Sequence, residues 1–183
     1  MFYDRVNTEN KYQKLADLVC EIHPDFAEGT VNNKQIKADP KIYNMEYLIE
    51  KCFEFASEGA YTFIDGAKKD FTDGSDSKTS TIYTSQKYPQ AEITSVRSKA
   101  INGVAGNLKE GALRCVIYNP ELDKLHFVFV PKTTLDLLMS SVSAKKTSLH
   151  MTWNRKKNAF TNKKTDDFIE FNSFKELAME ANR

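Results

Sequence analysis

The sequence predicts an α+β fold in which a central sheet, mainly antiparallel or mixed, is flanked by helices. Three observations predict it. Up to Ser57 the apolar residues recur at three- and four-residue steps, the period of a helix that buries one stripe. After Gly59 the pattern changes to short runs rich in β-branched and aromatic residues. Those runs are joined by short links rather than crossover helices, which favours an α+β sheet over a doubly wound parallel one. A chain of 183 residues with 40% hydrophobic composition suits one domain around one core, spanning 1–183.

The elements follow in order. Tyr12, Leu15, Ala16, Val19 and Ile22 mark a first helix from Thr8 to Ile22, ended by His23-Pro24. The polar stretch from Pro24 to Pro40 reads as a long connection. A second helix from Pro40 to Ser57 carries the stripe Ile42, Met45, Leu48, Ile49, Cys52, Phe53 and Ala56, with Gly59 as its left-handed stop. Its opposite face bears Glu46, Glu50, Glu54 and Glu58 at four-residue spacing. Such a like-charge row costs a few tenths of a kcal/mol per pair, roughly, unless cations lie opposite.

Tyr61–Ile64 and Lys78–Thr84 read as a hairpin with a wide polar tip. Further strands are expected at Ala91–Val96, Ala112–Tyr118 and Lys124–Val130, the last two joined through Asn119–Asp123. Arg97–Gly111, with Gly103, Gly106 and Gly111, reads as a mobile loop. A helix opening at Thr133 or Thr134 and running through Met139, a strand at Thr147–Trp153 and a C-terminal helix from Ser173 to Asn182 complete the pattern. Ser173 and Glu176 have the spacing of a capping box.

Composition narrows the function. No apolar run is long enough to span a bilayer, and Met1-Phe2-Tyr3-Asp4-Arg5 lacks the pattern of a secretory signal, so a cytoplasmic protein without a membrane partner is expected. Cys20, Cys52 and Cys115 are far apart among apolar neighbours, which suggests buried thiols rather than disulfides or zinc ligands. The formal charge of +1 hides an asymmetry: residues 1–85 carry net −5 and 86–183 net +6. Between Pro131 and Thr165 eight Lys/Arg face Asp136 alone, a footprint for a polyanion or a solvated face. Trp153 and Phe160 beside Arg155-Lys156-Lys157 could stack on an unpaired base or simply be core.

The densest chemistry lies between Asp65 and Lys78, where four aspartates and three lysines occur in fourteen residues. Aspartate, glycine and serine also crowd ordinary turns, with no chemistry implied. If Asp65 ends one strand and Asp76-Ser77-Lys78 begins the next, two carboxylates and an ammonium converge, with Asp76 and Lys78 on one side of the strand. Asp70 and Asp73 are alternative positions for the first acid. Such carboxylates can hold Mg²⁺ or Mn²⁺, and the lysine can orient or help deprotonate the attacking water and offset charge on phosphorus.

A helix, a strand ending in Asp65 and then Asp76-Ser77-Lys78 together resemble the core of the PD-(D/E)XK, restriction-endonuclease-like nucleases. The resemblance covers roughly residues 42–130. It implies Asp65 and Asp76 as metal ligands, Glu54 or Glu50 as an auxiliary ligand, and Lys78 as the catalytic lysine. It further implies a Mg²⁺- or Mn²⁺-dependent endodeoxyribonuclease whose partner is DNA, with a homodimer as the prior for an enzyme that cuts both strands.

On that reading, 1–40 is an N-terminal helix and loop, 41–140 the nuclease-like core, and 141–183 a basic segment and C-terminal helix. Arg97, Lys99, Lys145, Lys146, Arg155, Lys156 and Lys157 are the expected contacts to nucleic acid. The alternative is a non-catalytic, inhibitor-like module that binds nucleic acid or protein, for which the aspartates only shape a loop. A small-ligand domain built on Arg97–Gly111 is a third reading.

Overall fold

A computed structural model describes residues 2–23, 30–31, 34–35, 45–64, 68–162 and 168–182. The helices are α1 (Phe2–Ile22), α2 (Met45–Ala56), α3 (Lys132–Ser140) and α4 (Phe174–Met179). The strands are β1 (Thr30–Val31), β2 (Lys34–Gln35), β3 (Asp76–Thr81), β4 (Gln90–Ile93), β5 (Leu113–Asn119), β6 (Lys124–Val130), β7 (Leu149–Asn154), β8 (Ala159–Thr161) and β9 (Ile169–Phe171). The fold is α+β. Its mixed main sheet has the order β3-β5-β6-β9, a second sheet has the order β4-β7-β8, and β1 pairs with β2.

The period-two alternation of β5 and β6 explains the layering. Leu113, Cys115, Ile117, Val128 and Val130 point to one side, where they pack with Leu135 of α3 and with Met151 and Trp153 of the second sheet. Val116 and Phe129 point to the other, where they meet Leu15 and Val19 of α1, Ile49 and Phe53 of α2 and Leu177 of α4. The main sheet therefore has a core on each face, and every residue of β5 is buried. Among the described residues no helix is long and apolar enough to cross a membrane.

Several expectations are met locally. The β5–β6 hairpin runs in register from Leu113↔Val130 to Asn119↔Lys124. Ser173 Oγ accepts the Glu176 N–H at 3.2 Å while the Glu176 carboxylate accepts the Ser173 N–H at 3.1 Å, closing the capping box. Cys52 and Cys115 are buried free thiols, and Cys20 is half-buried.

One pairing differs. The hairpin expected between Tyr61–Ile64 and Lys78–Thr84 does not form. Phe63 instead bridges Phe71, and β3 pairs in parallel with β5, Asp76 beside Leu113 and Lys78 beside Cys115. The reason is aromatic burial. Phe71 is fully buried against Tyr61 and Phe53, with ring centroids 4.8 and 6.0 Å away, so the chain returns to the core soon after Ile64.

The polar stretch that follows is a tight turn rather than a hairpin tip. Asp73 Oδ1 accepts the Ser75 N–H at 2.9 Å, and Gly74 takes φ +90°. A carbon at the Cβ position of Gly111 would sit 2.4 Å from the Gly74 carbonyl oxygen, so only glycine permits this approach.

Beneath the turn lies Arg114, the second residue of β5 and fully buried. Its guanidinium donates to Asp73 Oδ2 at 3.2 Å, to the Glu180 carbonyl at 2.6 Å and to Ser75 Oγ, and it stacks over Tyr61 at 4.4 Å. Asn182 adds a second tie: its side chain accepts the Ala112 N–H at 2.8 Å and donates to the Asp73 carbonyl. The C-terminal segment thus fixes the turn that leads into β3.

Candidate active site

The parallel pairing puts β3 at the edge of the main sheet, with α2 on one side and β4 on the other. Ser80 of β3 donates to the Glu92 carbonyl of β4 at 2.7 Å, which holds that second sheet against the edge. A cavity of about 170 Å³ opens there, lined by Glu46 and Glu50 of α2, by Asp70, by Ser77, Lys78 and Thr79 of β3, and by Thr94 and Ser95.

Asp76, the first residue of β3, has no exposed surface. Its backbone N–H donates to the Ala112 carbonyl at 2.9 Å, so the position of its carboxylate is set by the β3–β5 pairing. Lys109 Nζ meets Oδ1 at 2.8 Å. Lys78 Nζ forms an ion pair with Oδ2. That second contact is electrostatic, because Oδ2 has no donor in hydrogen-bonding geometry among the described residues.

Asp70 stands next to it. Its Oδ2 accepts the Ser77 N–H at 2.8 Å, which ties the carboxylate to the centre of the Asp76-Ser77-Lys78 triplet. Burial and the Asp76 carboxylate push the Asp70 carboxyl up to about 6, with the Ser77 hydrogen bond and Lys78 pulling the other way. Glu50, half-buried on α2, is pushed up to about 7 by burial and then by Asp70, Glu46 and Asp76. Burial opposes the charge on Lys78, but Asp76 and Asp70 outweigh it and hold the ammonium above its ordinary range. Lys78 is accordingly a permanent cation at neutral pH, while two carboxyls titrate close to neutrality.

The sequence-predicted residues are distributed as follows. Asp76 and Lys78 are together at this edge, and Asp65 lies outside the described residues. Glu50 lines the cavity. Glu54, one turn on, does not line it: its Oε2 accepts the Phe63 N–H at 2.6 Å and faces Lys51 at 3.4 Å. Among the described residues no group of three or more His, Cys, Asp or Glu side chains is arranged to hold a metal ion. The side chains that do converge offer hard carboxylate oxygens, a donor type suited to Mg²⁺ or Mn²⁺ rather than to a soft metal.

The expected basic tract is split. Lys99 is exposed and Arg97 half-buried on the wall of a second cleft, about 380 Å³, which also takes in Lys68 and Lys109 and shares Ser95 with the acidic cavity. Arg97 additionally donates to the Met139 carbonyl at 2.9 Å and the Ser143 carbonyl at 3.3 Å, closing the end of α3. Lys145 and Lys146 are exposed in the turn before β7, and Lys146 borders a separate cavity of about 500 Å³ lined by no Asp or Glu.

Arg155 is committed to the Thr84 carbonyl, at 3.0 and 2.8 Å, and Lys156 and Lys157 are exposed in the β7–β8 turn. Trp153 is core, packed edge-on against His126 and Phe160 at 5.0 Å each.

Arg114 and Lys109 were not foreseen as organisers of this region. Arg114 had a signal: one charge inside the apolar run Leu113-Arg114-Cys115-Val116-Ile117 must find a buried partner. Lys109 had none, since its partner Asp76 is 33 positions away. Compared with protein-family models, curated proteins and solved structures, the chain matches none.

Proposed function

We propose that the protein is a metal-dependent nuclease that hydrolyses phosphodiester bonds of DNA at the edge of β3. The observation that supports it most is that Glu50, Asp70 and Lys78 line one small cavity, with buried Asp76 paired to Lys78 and with Glu50 raised to about 7 and Asp70 to about 6. A group in that range can take a proton from water and release it again at physiological pH.

In this reading Asp70 and Asp76 hold Mg²⁺ or Mn²⁺, an ion that needs only one or two carboxylates and keeps several waters. When bound, the ion would polarise the phosphoryl oxygens and neutralise part of their charge. Glu50 accepts the proton of the attacking water as the new oxygen–phosphorus bond forms. Lys78, a fixed ammonium, offsets the charge that develops on the non-bridging oxygens as the bond to the leaving oxygen breaks. Lys78 is not the base, since its neighbours hold its proton. Lys68, Arg97, Lys99 and Lys109 lead the phosphate backbone towards the site along the adjoining cleft.

The test is nicking of supercoiled plasmid by the purified chain with Mg²⁺ or Mn²⁺, against Asp70→Asn and Lys78→Met. Both variants should lose at least about a hundredfold in rate, the scale for removing a group that stabilises transition-state charge. Circular dichroism should be unchanged. Full activity in both variants refutes the assignment. One observation favours a second reading, binding without catalysis: Lys78 and Lys109 already neutralise Asp76, as a purely structural network would. In that case Lys99→Glu weakens nucleic-acid binding, whereas wild type, Asp70→Asn and Lys78→Met alike leave the plasmid intact.

A further inference from the structure

Residues 98–107 form a narrow projecting hairpin. Ile101 and Val104 exchange backbone hydrogen bonds of 3.1 and 2.9 Å across Asn102 (φ +50°) and Gly103 (φ +80°). Positive φ at both central residues, with the Asn-Gly pair, is the mark of a type I′ turn, whose twist matches its flanking strands. The base is fixed by the Arg97↔Leu108 bridge, by Ser98 N–H to the Asn107 carbonyl at 2.9 Å and by Lys109 N–H to the Val96 carbonyl at 3.0 Å. At Gly106 a Cβ would fall 2.0 Å from the Ser98 carbonyl oxygen, so the two stem segments approach as bare backbone. The segment read from sequence as a loop forms a hydrogen-bonded hairpin.

Its chemistry is divided along its length. At the tip Ile101 and Val104 are 72% and 71% exposed. Turn chemistry needs neither of them to be apolar, and burial within the chain does not explain them. At the base lies the cleft with Lys68, Arg97, Lys99 and Lys109, lined by no acidic residue and sharing Ser95 with the carboxylate cavity. A ligand that satisfies both ends presents phosphates beside stacked apolar faces. A duplex nucleic acid does so, and small apolar wedges are a known means of parting base steps. A bilayer also offers both chemistries, but the cations here line a concave slot, which suits a rod-like phosphate backbone better than a flat surface.

We propose that the Ile101–Val104 hairpin is a wedge that inserts into the base stack of a DNA duplex whose phosphates lie in the Lys68–Arg97–Lys99–Lys109 cleft. This shares with the nuclease reading its DNA ligand but needs none of its catalysis. Opening the stack next to the acidic cavity would bend the backbone and present one phosphate to it.

Fluorescence anisotropy with the full chain in EDTA tests the wedge without cleavage. Probes are a short duplex carrying 2-aminopurine, the corresponding single strand and phosphatidylserine vesicles. Ile101→Ser/Val104→Ser should weaken duplex binding about tenfold, change single-strand binding by less than about twofold and abolish the 2-aminopurine enhancement that reports unstacking. Ile101→Thr/Val104→Thr, which keeps β-branching, should do the same, and both should melt as wild type because the tip is exposed. Lys99→Glu should weaken both nucleic acids.

Duplex binding and fluorescence unchanged in both double variants would overturn the wedge, as would wild-type binding to vesicles but not to duplex. Plasmid nicking without any 2-aminopurine enhancement would overturn the wedge and leave the nuclease standing. Enhancement without nicking in Mg²⁺ would do the reverse.

Discussion

Replacing Glu50 with glutamine should make the protein more stable at pH 8 and leave it unchanged at pH 4. Glu50 is raised from 4.5 to about 7 in the folded chain, by burial first and then by Asp70, Glu46 and Asp76, with Lys78 opposing. Below pH 4.5 it is protonated in the folded and unfolded states alike, so glutamine, which mimics the neutral acid, changes little. Between 4.5 and 7 the folded state holds the proton more tightly than the unfolded state, so wild-type stability falls as pH rises. Above 7 the carboxylate is charged in both states and the folded state carries the full cost.

Taken at face value the move to about 7 corresponds to about 3 kcal/mol. Glu50 keeps contact with water, and screening reduces this to about 1–2 kcal/mol. Urea unfolding of wild type and Glu50→Gln at a series of pH values without divalent ions measures it. The two midpoints should coincide at pH 4 and separate through pH 5–7, with the variant higher. Curves that stay parallel across the range would refute the placement of Glu50 in a carboxylate cluster.

Two further outcomes follow from the same geometry. At pH 8, Mn²⁺ at about a hundred times its Kd should stabilise wild type by about 3 kcal/mol in thermal or urea melts, and Asp70→Asn should lose most of that gain. Arg114→Met should lower stability by about 3–5 kcal/mol, because Asp73 and the Glu180 carbonyl lose a buried cation partner, and denaturant midpoints should show it.

Local features were legible in the sequence where one segment carried the whole signal. The apolar stripe of Met45–Ala56, the turn joining β5 to β6 and the Ser173/Glu176 cap each depend on a few neighbouring residues. Pairing was not legible, because β3 lies parallel to a strand beginning 37 positions later and nothing in Asp76–Thr81 names that partner. Strands as short as Ala159–Thr161 and Ile169–Phe171 offer too few residues for a period to show.

Which side chains meet at the β3 edge was legible only in part. Asp76 and Lys78 share a face through simple alternation. Glu50 and Glu54 are equivalent by helical spacing, and only the folded position of the Phe63 N–H, which engages Glu54, separates them. Asp70, open as an alternative first acid, stands at the cavity because its carboxylate accepts the Ser77 N–H.

The charge balance around the cavity sets these residues apart from one another. Glu46, Glu50, Asp70 and Lys78 line it, and buried Asp76 pairs with Lys78 and Lys109. Full ionisation leaves an excess of negative charge in a partly buried place, and the structure resists it by raising two carboxyls rather than by recruiting another cation. On the proposed function, a divalent ion would answer the same repulsion that those protons answer in its absence. Lys78 cannot answer in that way, because the same carboxylates keep its charge in place. In the proposed nuclease, proton transfer would fall to the acids and fixed positive charge to the lysine, because one buried aspartate lies between two ammonium groups at the edge strand β3.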